Sequence, residues 1–515
     1  MNSDKRETFT EEELEIMLDD IGRDYPPDDV VKMVTPWRRA MNQILIGIAL
    51  CTITLQFAYL DYILPIIGFV ISLLGFRSIR SENRWFRACF AFTVVKGALF
   101  FPVLVFSTTV YRSLILTPSV TMVLAAVNSL LLIVELLYFR AGIRAVQRKA
   151  GVPERADEVF ALIIWYVLVC LLAFSGCNAP AAAGAMLVAY FLIIRNIFRL
   201  SKELDEAGYL LELAPVKLPN GGIVLIIVSL WLIGGVLGYT LGSKYPMNWS
   251  IEDRSGRPET ESTEDILLEL GFPEYVLKDL TDEDIMACSG ALQVIVSVND
   301  EFMNTGGQKI TESDVDGVHH VEEKAAYTAG KLRFTNIGVQ IDGKRERWII
   351  IHHFSWTSKT EFCGTESIRI RTAYGDALSG WSSDGEVMGR VLYDKDGKVY
   401  AAPYCFLGEG MYAQGALIDS MGVEADIFAA FSLPRNVENG RGYIAYSVAE
   451  LIDDCVASSW AIYTHQRSLL EFPAMSAIEK QLTDGGKDTK KFITKECGFV
   501  FYPTDEGVKL INMDD

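Results

Sequence analysis

The feature that most constrains this chain is a change of composition at Gly242. From Gln43 to Gly242 the sequence contains six or seven long apolar segments, and the residues that follow have the mixed composition of a folded polar domain. A helix needs roughly 20 mainly apolar residues to cross about 30 Å of hydrocarbon. The pattern therefore predicts an all-α bundle of membrane-spanning helices followed by one domain outside the hydrocarbon.

We predict seven spans, which together leave only short connections between Gln43 and Gly242. The second span is the shortest and Pro65 interrupts it, so a re-entrant hairpin made by the first two segments is the alternative. The predicted spans are 43–60, 62–76, 86–108, 114–139, 160–177, 180–198 and 222–242.

Basic residues predict the orientation of these spans. Lys and Arg cluster before span one and after spans two, four and six, whereas the other short connections contribute only Arg112. Because basic residues are enriched in cytoplasmic connections, the N-terminus is predicted to be cytoplasmic. An odd number of spans then places residues 244–515 outside the cell membrane. The clusters are Lys32, Arg38 and Arg39; Arg77, Arg80, Arg84 and Arg87; Arg140, Arg144, Arg148, Lys149 and Arg155; and Arg195, Arg199, Lys202 and Lys217.

The net charge of −19 belongs to the C-terminal part of the chain. From Lys244 onward there are 26 Lys and Arg against 45 Asp and Glu, and the preceding residues carry equal numbers of both signs. Nucleic acids and anionic lipid surfaces select basic patches, so neither is expected to bind this acidic part. The predicted partners are the lipid bilayer for the helices and an unidentified extracytoplasmic ligand or protein for the outer domain.

The predicted organisation has four parts. An acidic cytoplasmic segment at 1–40 contains a short amphipathic helix, introduced by Thr10 and Glu13 in capping-box spacing. The remaining parts are a transmembrane bundle at 41–243, a linker at 244–262 and an extracytoplasmic β-rich domain at 263–515.

Three polar residues lie inside the predicted spans. Lys96 is in span three, and Asn128 and Glu135 are in span four. Since ionisable groups in lipid are costly, they are candidates for a function, and an ion pair that fixes two helices is the simpler interpretation. A transport role would require these three side chains to line a cavity.

The last span has small residues on one face. Gly234, Gly238 and Gly242 are four residues apart, a spacing that lets two helix backbones approach closely. Span six offers a similar face with Ala181, Ala185 and Ala189, so these two spans are predicted to pack together. A homo-oligomer formed through the glycine face is the alternative.

The outer domain has the two-residue periodicity of β-strands, with turns between the segments. Asp342-Gly343, Asp384-Gly385 and Asp396-Gly397 are the strongest hairpin signals. The pattern predicts a mainly antiparallel sandwich or barrel with a few helices. The predicted strands are Leu292–Val298, Lys331–Gln340, Arg347–Trp356, Ser367–Tyr374, Val387–Tyr393, Val399–Phe406, Ile427–Leu433, Gly442–Val448 and 456–463, with a late helix near Ala474–Leu482.

Candidate ligand-contacting residues in this domain are few. Trp381 lies between Gly380 and Ser382 in a predicted loop, where an exposed ring could contact a sugar or peptide. His319 and His320 follow two aspartates and form a weak metal candidate. By contrast, His352 and His353 are adjacent in a predicted strand, so their rings point to opposite faces and do not chelate one ion together.

The sequence contains no recognisable catalytic, nucleotide-binding or cofactor-binding motif. The leading hypothesis is a non-enzymatic, receptor-like membrane protein whose outer domain binds a ligand or partner, with no cofactor or bound metal. The alternatives are a membrane-anchored surface enzyme and a transporter or accessory subunit that uses Lys96, Asn128 and Glu135. Five cysteines in the outer domain do not form a dense disulfide framework, so their pairing is left open: Cys288, Cys363, Cys405, Cys455 and Cys497.

Overall fold

The structure is a computed structural model that describes residues 36–511 with internal gaps. The predicted amphipathic helix of the N-terminal segment lies outside the described residues. The chain divides into two compact units, one formed by Met1–Leu104 and Met122–Leu232, the other by Val105–Thr121 and Ile233–Asp515. The gaps are 53–58, 155, 175–179, 207–217, 253–258, 304–313, 316–317, 320–329, 342–346, 359, 376–378, 411–424, 453–454, 469–470, 485–486 and 505–506.

The N-terminal half is helical, as its apolar segments predict. Five helices have the length and composition needed to cross a membrane: Leu60–Ile79, Arg84–Phe106, Pro118–Lys149, the Gly184–Leu204 part of Pro180–Glu206, and Asn220–Gly242. The shorter helices Pro36–Thr52 and Asp157–Phe174 overlap the first and fifth predicted spans, so the count of seven spans stays a prediction. The helices are α1 (Pro36–Thr52), α2 (Leu60–Ile79), α3 (Arg84–Phe106), α4 (Arg112–Ile115), α5 (Pro118–Lys149), α6 (Asp157–Phe174), α7 (Pro180–Glu206) and α8 (Asn220–Gly242).

Helices α1 and α2 form a close pair because glycines lie where they meet. A Cβ atom on Gly47 would come within 2.6 Å of Ser72, and one on Gly68 within 2.7 Å of the Gly47 carbonyl oxygen. Gly75 lies equally close to Ile44. Small residues at such positions allow backbone-to-backbone packing where lipid gives no hydrophobic incentive to associate. The second helix is continuous from Leu60 to Ile79, with Pro65 inside it.

The C-terminal half is β-rich, with antiparallel pairing between strands. One sheet has the order β1-β10-β9-β13-β6-β5-β2, with β8 beside β13; a second has the order β11-β12-β7-β14-β15-β16; β3 and β4 pair separately. The strands are β1 (Ser250–Ile251), β2 (Ala291–Met303), β3 (Asp314–Val315), β4 (Val318–His319), β5 (Gly330–Ile341), β6 (Arg347–Trp356), β7 (Glu366–Arg371), β8 (Trp381–Ser383), β9 (Met388–Lys395), β10 (Lys398–Pro403), β11 (Phe406–Glu409), β12 (Ile427–Phe431), β13 (Glu438–Glu450), β14 (Ala457–Gln466), β15 (Phe492–Thr504) and β16 (Gly507–Leu510).

The central strands of the first sheet are buried on both faces. Along β6, Trp348, Ile350 and Phe354 join a core shared with the second sheet, whereas Ile349 and Ile351 join a separate core with three short helices. A strand with two buried faces reads as a continuous apolar run rather than an alternating one. The helices that cover the outer face are α9 (Glu261–Glu269), α10 (Glu274–Leu277) and α11 (Asp282–Ala287), and α12 (Ala477–Asp484) lies against the second sheet.

Several details of the β-domain differ from the sequence prediction. The hairpin at Asp396-Gly397 is confirmed, since both residues have positive φ and connect β9 to β10. The Asp384-Gly385 turn is not a hairpin, because β8 and β9 both pair with β13. Asp342-Gly343 lies outside the described residues. Strands β1, β3, β4, β8, β11, β15 and β16 were not predicted.

The second unit also contains the end of α3 and the end of α8, which precede the β-strands in sequence. The backbone N–H of Val110 donates to the Gly242 carbonyl at 2.8 Å, and that of Ala474 donates to Ser107 at 2.7 Å. Val110 and Tyr245 pack with the outer face of β12 and with α12. Part of the stretch predicted as a linker thus makes defined contacts with the β-domain.

Candidate functional site

A cavity of about 460 Å³ lies on the second sheet, on the face turned away from the shared core. Ile368 and Ile370 of β7 point into that core, so the alternating Arg369 and Arg371 point outward. Ser458 and Trp460 lie on the same outer face of β14. The described lining consists of Arg369, Arg371, Thr372, Ala373, Gly375, Ser379, Asp426, Val456, Ser458 and Trp460.

The two arginines of this cavity differ in their surroundings. Arg369 Nε donates to the Asp426 carboxylate at 2.6 Å, and its side chain lies over the ring of Phe428 at 5.6 Å. Burial raises the pKa of Asp426, and the nearby Arg369 opposes that rise. Arg371 is exposed, and none of the described residues forms an ion pair with it. Arg371 is close enough to Asp426 to oppose the rise in its pKa as well. With two arginines and one aspartate, the described lining carries a net charge of +1.

Trp460 supplies a flat apolar surface beside that charge. Its Cα is paired with the Cα of Arg371 on the neighbouring strand, so the two side chains lie side by side on one face. On the other neighbouring strand Trp460 is paired with Gly498, where a Cβ would come within 3.2 Å of the indole. The glycine therefore leaves room for the ring. Trp460 Nε1 donates to Ser458 Oγ at 3.3 Å.

A second polar group joins the two sheets inside the shared core. His352 Nδ1 lies 2.7 Å from Asn336 Oδ1, and His352 Nε2 lies 2.7 Å from Ser459 Oγ. The Tyr446 hydroxyl also donates to Ser459 at 2.7 Å. Asn336 Nδ2 further donates to Cys497 Sγ at 3.3 Å.

The order serine, histidine and asparagine matches that of a nucleophile, a base and an orienting group. However, Ser459 is 0% exposed, and burial lowers the pKa of His352 to about 3. A general base works best with a pKa near the operating pH and within reach of substrate. This group therefore satisfies buried polar atoms and connects the two sheets.

His353 lies on the opposite face of the same strand, as the alternation predicts. Its Nε2 lies 3.0 Å from Asp279, and Arg441 Nε donates to both oxygens of that carboxylate at 2.9 Å. Burial tends to raise the pKa of Asp279, but His353 and Arg441 hold it below its usual value. Arg390 donates to the Asp279 carbonyl at 2.8 Å. These contacts attach the α10–α11 connection to the sheet.

Trp381 was predicted to be exposed, and this is wrong. The side chain is 4% exposed and belongs to the core between the sheets, because β8 extends the first sheet at this position. His319 is paired with Asp314 in the small β3–β4 ladder, and His320 lies outside the described residues. Among the described residues, no group of three or more His, Cys, Asp or Glu is placed to hold a metal ion.

A weak signal for the cavity is present in the sequence. Alternation places Arg369 and Arg371 on one face of β7, but two arginines on a strand usually mark an ordinary solvated face. Their pairing with Trp460 depends on the neighbour of β7, which is β14 and lies far along the chain.

The five outer cysteines are all free thiols.

Within the helical unit, the structure brings together two of the three predicted polar residues. Lys96 Nζ forms an ion pair with Glu135, and Thr93 donates to the same carboxylate at 2.6 Å. Glu135 is 1% exposed, whereas Asn128 is exposed on the helix surface and lies apart from this pair in the described contacts. The pair connects α3 to α5.

The glycine face of the last helix contacts a different segment from the one predicted. A Cβ on Gly238 would lie 2.5 Å from Thr108 Oγ1 and 3.0 Å from the Val105 carbonyl, and one on Gly242 would lie 2.6 Å from Thr109. The contact partner is therefore the end of α3 and the residues after it, not span six. Gly234 is half-buried. The predicted span-six partners include Ala181, whose side chain lies outside the described set.

Comparison with known proteins gives little. No family model matches the chain, and no curated protein matches it. Among solved structures, a "Pore forming protein" aligns at 7% identity over 42% of this chain and 95% of its own, with a TM-score of 0.18. Clostridium perfringens delta-toxin aligns at 7% identity over 42% of this chain and 93% of its own, with a TM-score of 0.19. Scores this low carry no argument about fold or function.

Proposed function

We propose that this chain is an integral membrane protein whose β-rich domain binds a ligand in the cavity lined by Arg371 and Trp460. The observation that carries the proposal is this cavity of about 460 Å³, in which an exposed arginine adjoins a half-buried indole. Binding sites for small molecules are typically concave, with apolar walls and a few polar groups that fix orientation. The volume lies within the usual range for such sites.

The membrane part of the proposal is a bundle of seven spans with the N-terminus in the cytoplasm. Its support is the set of five helices with suitable length and composition, together with the alternate basic connections. On α8 apolar side chains such as Leu225, Leu232 and Leu241 are more than half exposed, which suits a surface covered by lipid. The β-domain then lies outside the cell membrane.

The domain itself is best described as a β-sandwich with helices on one outer face. In support, Phe354 of the first sheet packs on Phe431 of the second at 5.6 Å, and Trp348 packs on Phe501 at 4.8 Å. Such a scaffold presents ligand sites on an exposed sheet face or at its ends. A binding role fits the open cavity better than catalysis does, because the histidine–serine pair found among the described residues, His352 and Ser459, is sealed in the core.

A cavity-blocking substitution tests this function. The full chain in detergent is screened by thermal unfolding against small molecules of positive, negative and zero charge. We expect at least one compound to raise the Tm of the wild type and to have no effect on Ser458→Trp, in which an indole fills the cavity. Compounds that stabilise Ser458→Trp equally, or the lack of any stabilising compound, would contradict the proposal.

The control for this experiment is a substitution on the same domain away from the cavity. Ser382→Trp is unsuitable, because Ser382 lies in β8. Asn436 is exposed in the β12–β13 connection, so Asn436→Trp adds the same indole without entering the cavity. It is expected to retain the ligand-induced rise in Tm.

A further inference from the structure

The charge of the cavity differs from that of the domain around it. From Lys244 onward acidic residues outnumber basic residues by 19, so an average patch of this surface repels anions. The cavity lining instead contains two arginines and one aspartate among its described residues. An anion in the cavity therefore meets a net positive lining inside a domain whose net charge is negative. The composition of the domain does not account for this local positive charge.

Of the three charged residues in the lining, Arg369 and Asp426 pair with each other, whereas Arg371 can contact a ligand. Arg369 is held by Asp426 at 2.6 Å, with the carboxylate 3% exposed, so this pair is already satisfied. Arg371 is two residues further along the same strand and points to the same face, roughly 7 Å away. No described residue accepts a hydrogen bond from its guanidinium, which therefore has donors available to a ligand.

The groups next to Arg371 complete the recognition surface. The indole of Trp460 lies beside it across the strand pair, and the Ser458 hydroxyl lies on the same face of β14. A guanidinium binds carboxylate or phosphate oxygens with charge-assisted hydrogen bonds, often in pairs. An indole favours the flat, carbon-rich face of a ring.

We propose that the cavity binds an anionic small molecule, whose carboxylate or phosphate group pairs with Arg371 while a flat ring lies on Trp460. This inference depends on the proposed binding function and narrows it to one ligand class. Carboxylate and phosphate share the recognising chemistry, and the probes below separate them.

The test uses isothermal titration calorimetry to measure the binding of small probes to the full chain in detergent. The probes are chosen in pairs that differ in one group. Benzoate and benzamide have the same ring with and without the charge, glucuronate and glucose form a second such pair, and phenyl phosphate and inorganic phosphate report on the phosphate group. We expect at least one ring-bearing anion to bind at least about tenfold more tightly than its neutral partner, equivalent to about 1.4 kcal/mol. Inorganic phosphate, which lacks the ring, should bind more weakly than phenyl phosphate.

Substitutions then assign the effect to the cavity. Arg371→Gln should weaken the binding of that anion by about ten- to a hundredfold, while Arg371→Lys keeps part of the affinity. The matched control is Arg435→Gln, because Arg435 is exposed and pairs with Glu361 at 3.2 Å outside the cavity. It should leave the affinity unchanged.

The outcomes distinguish the two proposals. If neutral or cationic compounds bind in a manner that Ser458→Trp abolishes, the ligand class is wrong and the binding function stands. If Arg371→Gln binds the anions as tightly as the wild type does, the role of Arg371 is wrong. If no probe and no library compound binds at millimolar concentration, both proposals fail.

Discussion

At the residue scale, the two adjacent histidines show how alternation decides a role. His352 and His353 differ by one position, and they therefore belong to different layers. His352 contacts Asn336 and Ser459 between the two sheets. His353 contacts Asp279 in the α10–α11 connection, on the other face of the first sheet. The prediction from sequence that their rings point to opposite faces of the strand is confirmed. Ser459 and Asp279 were not predictable as partners, because they lie 107 and 74 residues away in the chain.

Asn336 is predicted to be important for stability because of its contact with His352. Replacing it with Ala leaves His352 Nδ1 buried without an acceptor, which costs about 1–3 kcal/mol. The measurement is the free energy of unfolding of the full chain in detergent, followed by tryptophan fluorescence in a denaturant titration. Asn436→Ala, at an exposed position, is the control and should change stability by less than about 0.5 kcal/mol. Equal effects of the two substitutions would contradict the account of the buried network.

Asp279 gives a prediction about pH. Its folded-state pKa is below its usual value because of His353 and Arg441, although burial acts in the opposite direction. A depressed pKa contributes stability that is complete above the unfolded-state pKa of about 3.9 and is lost as the pH falls through the lower folded-state pKa. We therefore expect the wild type to lose stability below about pH 4 and Asp279→Asn to lose less in that range.

The same substitution should also lower stability at neutral pH, because it removes one of the two carboxylates that hold Arg441 and leaves only Asp394, at 2.8 Å. We expect a loss of about 1–3 kcal/mol. Unfolding free energies of both proteins between neutral pH and the acid range provide the measurement. An acid slope of Asp279→Asn as steep as that of the wild type would show that other carboxylates control acid unfolding.

At the element scale, long apolar helices and strands with turns between them were predictable, because their periodicity is local. Strand β6 has the predicted bounds, Arg347–Trp356. Strand β15 was missed, since its sequence includes Lys495, Glu496 and Gly498 and follows a polar stretch. The exposure of Trp381 was misjudged because flanking glycine and serine suggest a loop, whereas β13 recruits this segment as a short strand.

The contact between α8 and the end of α3 is tested with two glycines of one helix. Gly238→Leu should destabilise the chain, because the new side chain meets Thr108 and Val105. Gly235→Leu is the matched control, since a Cβ there has no neighbour within 4 Å. Thermal unfolding in detergent should show a lower Tm for Gly238→Leu only. Its oligomeric mass by light scattering should equal that of the wild type; a change in mass would instead indicate a homo-oligomer through this face.

The ion pair between α3 and α5 provides a second prediction at this scale. Glu135→Gln leaves Lys96 without its counter-ion, and breaking such a buried pair costs about 3–5 kcal/mol. The double substitution Lys96→Met with Glu135→Leu removes both charges and should recover most of the stability, as measured by thermal unfolding. If Glu135→Gln unfolds like the wild type but changes ion flux in proteoliposomes, the pair has a transport role rather than a packing role.

At the scale of the whole molecule, the division between helical and β-rich parts was predictable from composition alone. The location of the cavity was not, because it depends on strand order: β7 lies between β12 and β14, which are about 60 and 90 residues later in the sequence. The contacts of Val110 and Tyr245 with β12 were also not predictable, because they join segments on either side of the intervening helices.

We propose that the helices cross a membrane and hold the β-domain outside the cell. Lys398 is exposed in the β9–β10 hairpin, and Glu154 is exposed in the basic connection before α6, so each can be replaced by Cys as a topology reporter. Intact cells are treated with a membrane-impermeant maleimide, with the parent chain measured alongside to subtract its native thiols. The account predicts additional labelling of Lys398→Cys in intact cells and of Glu154→Cys only after permeabilisation; labelling in the reverse pattern would contradict it.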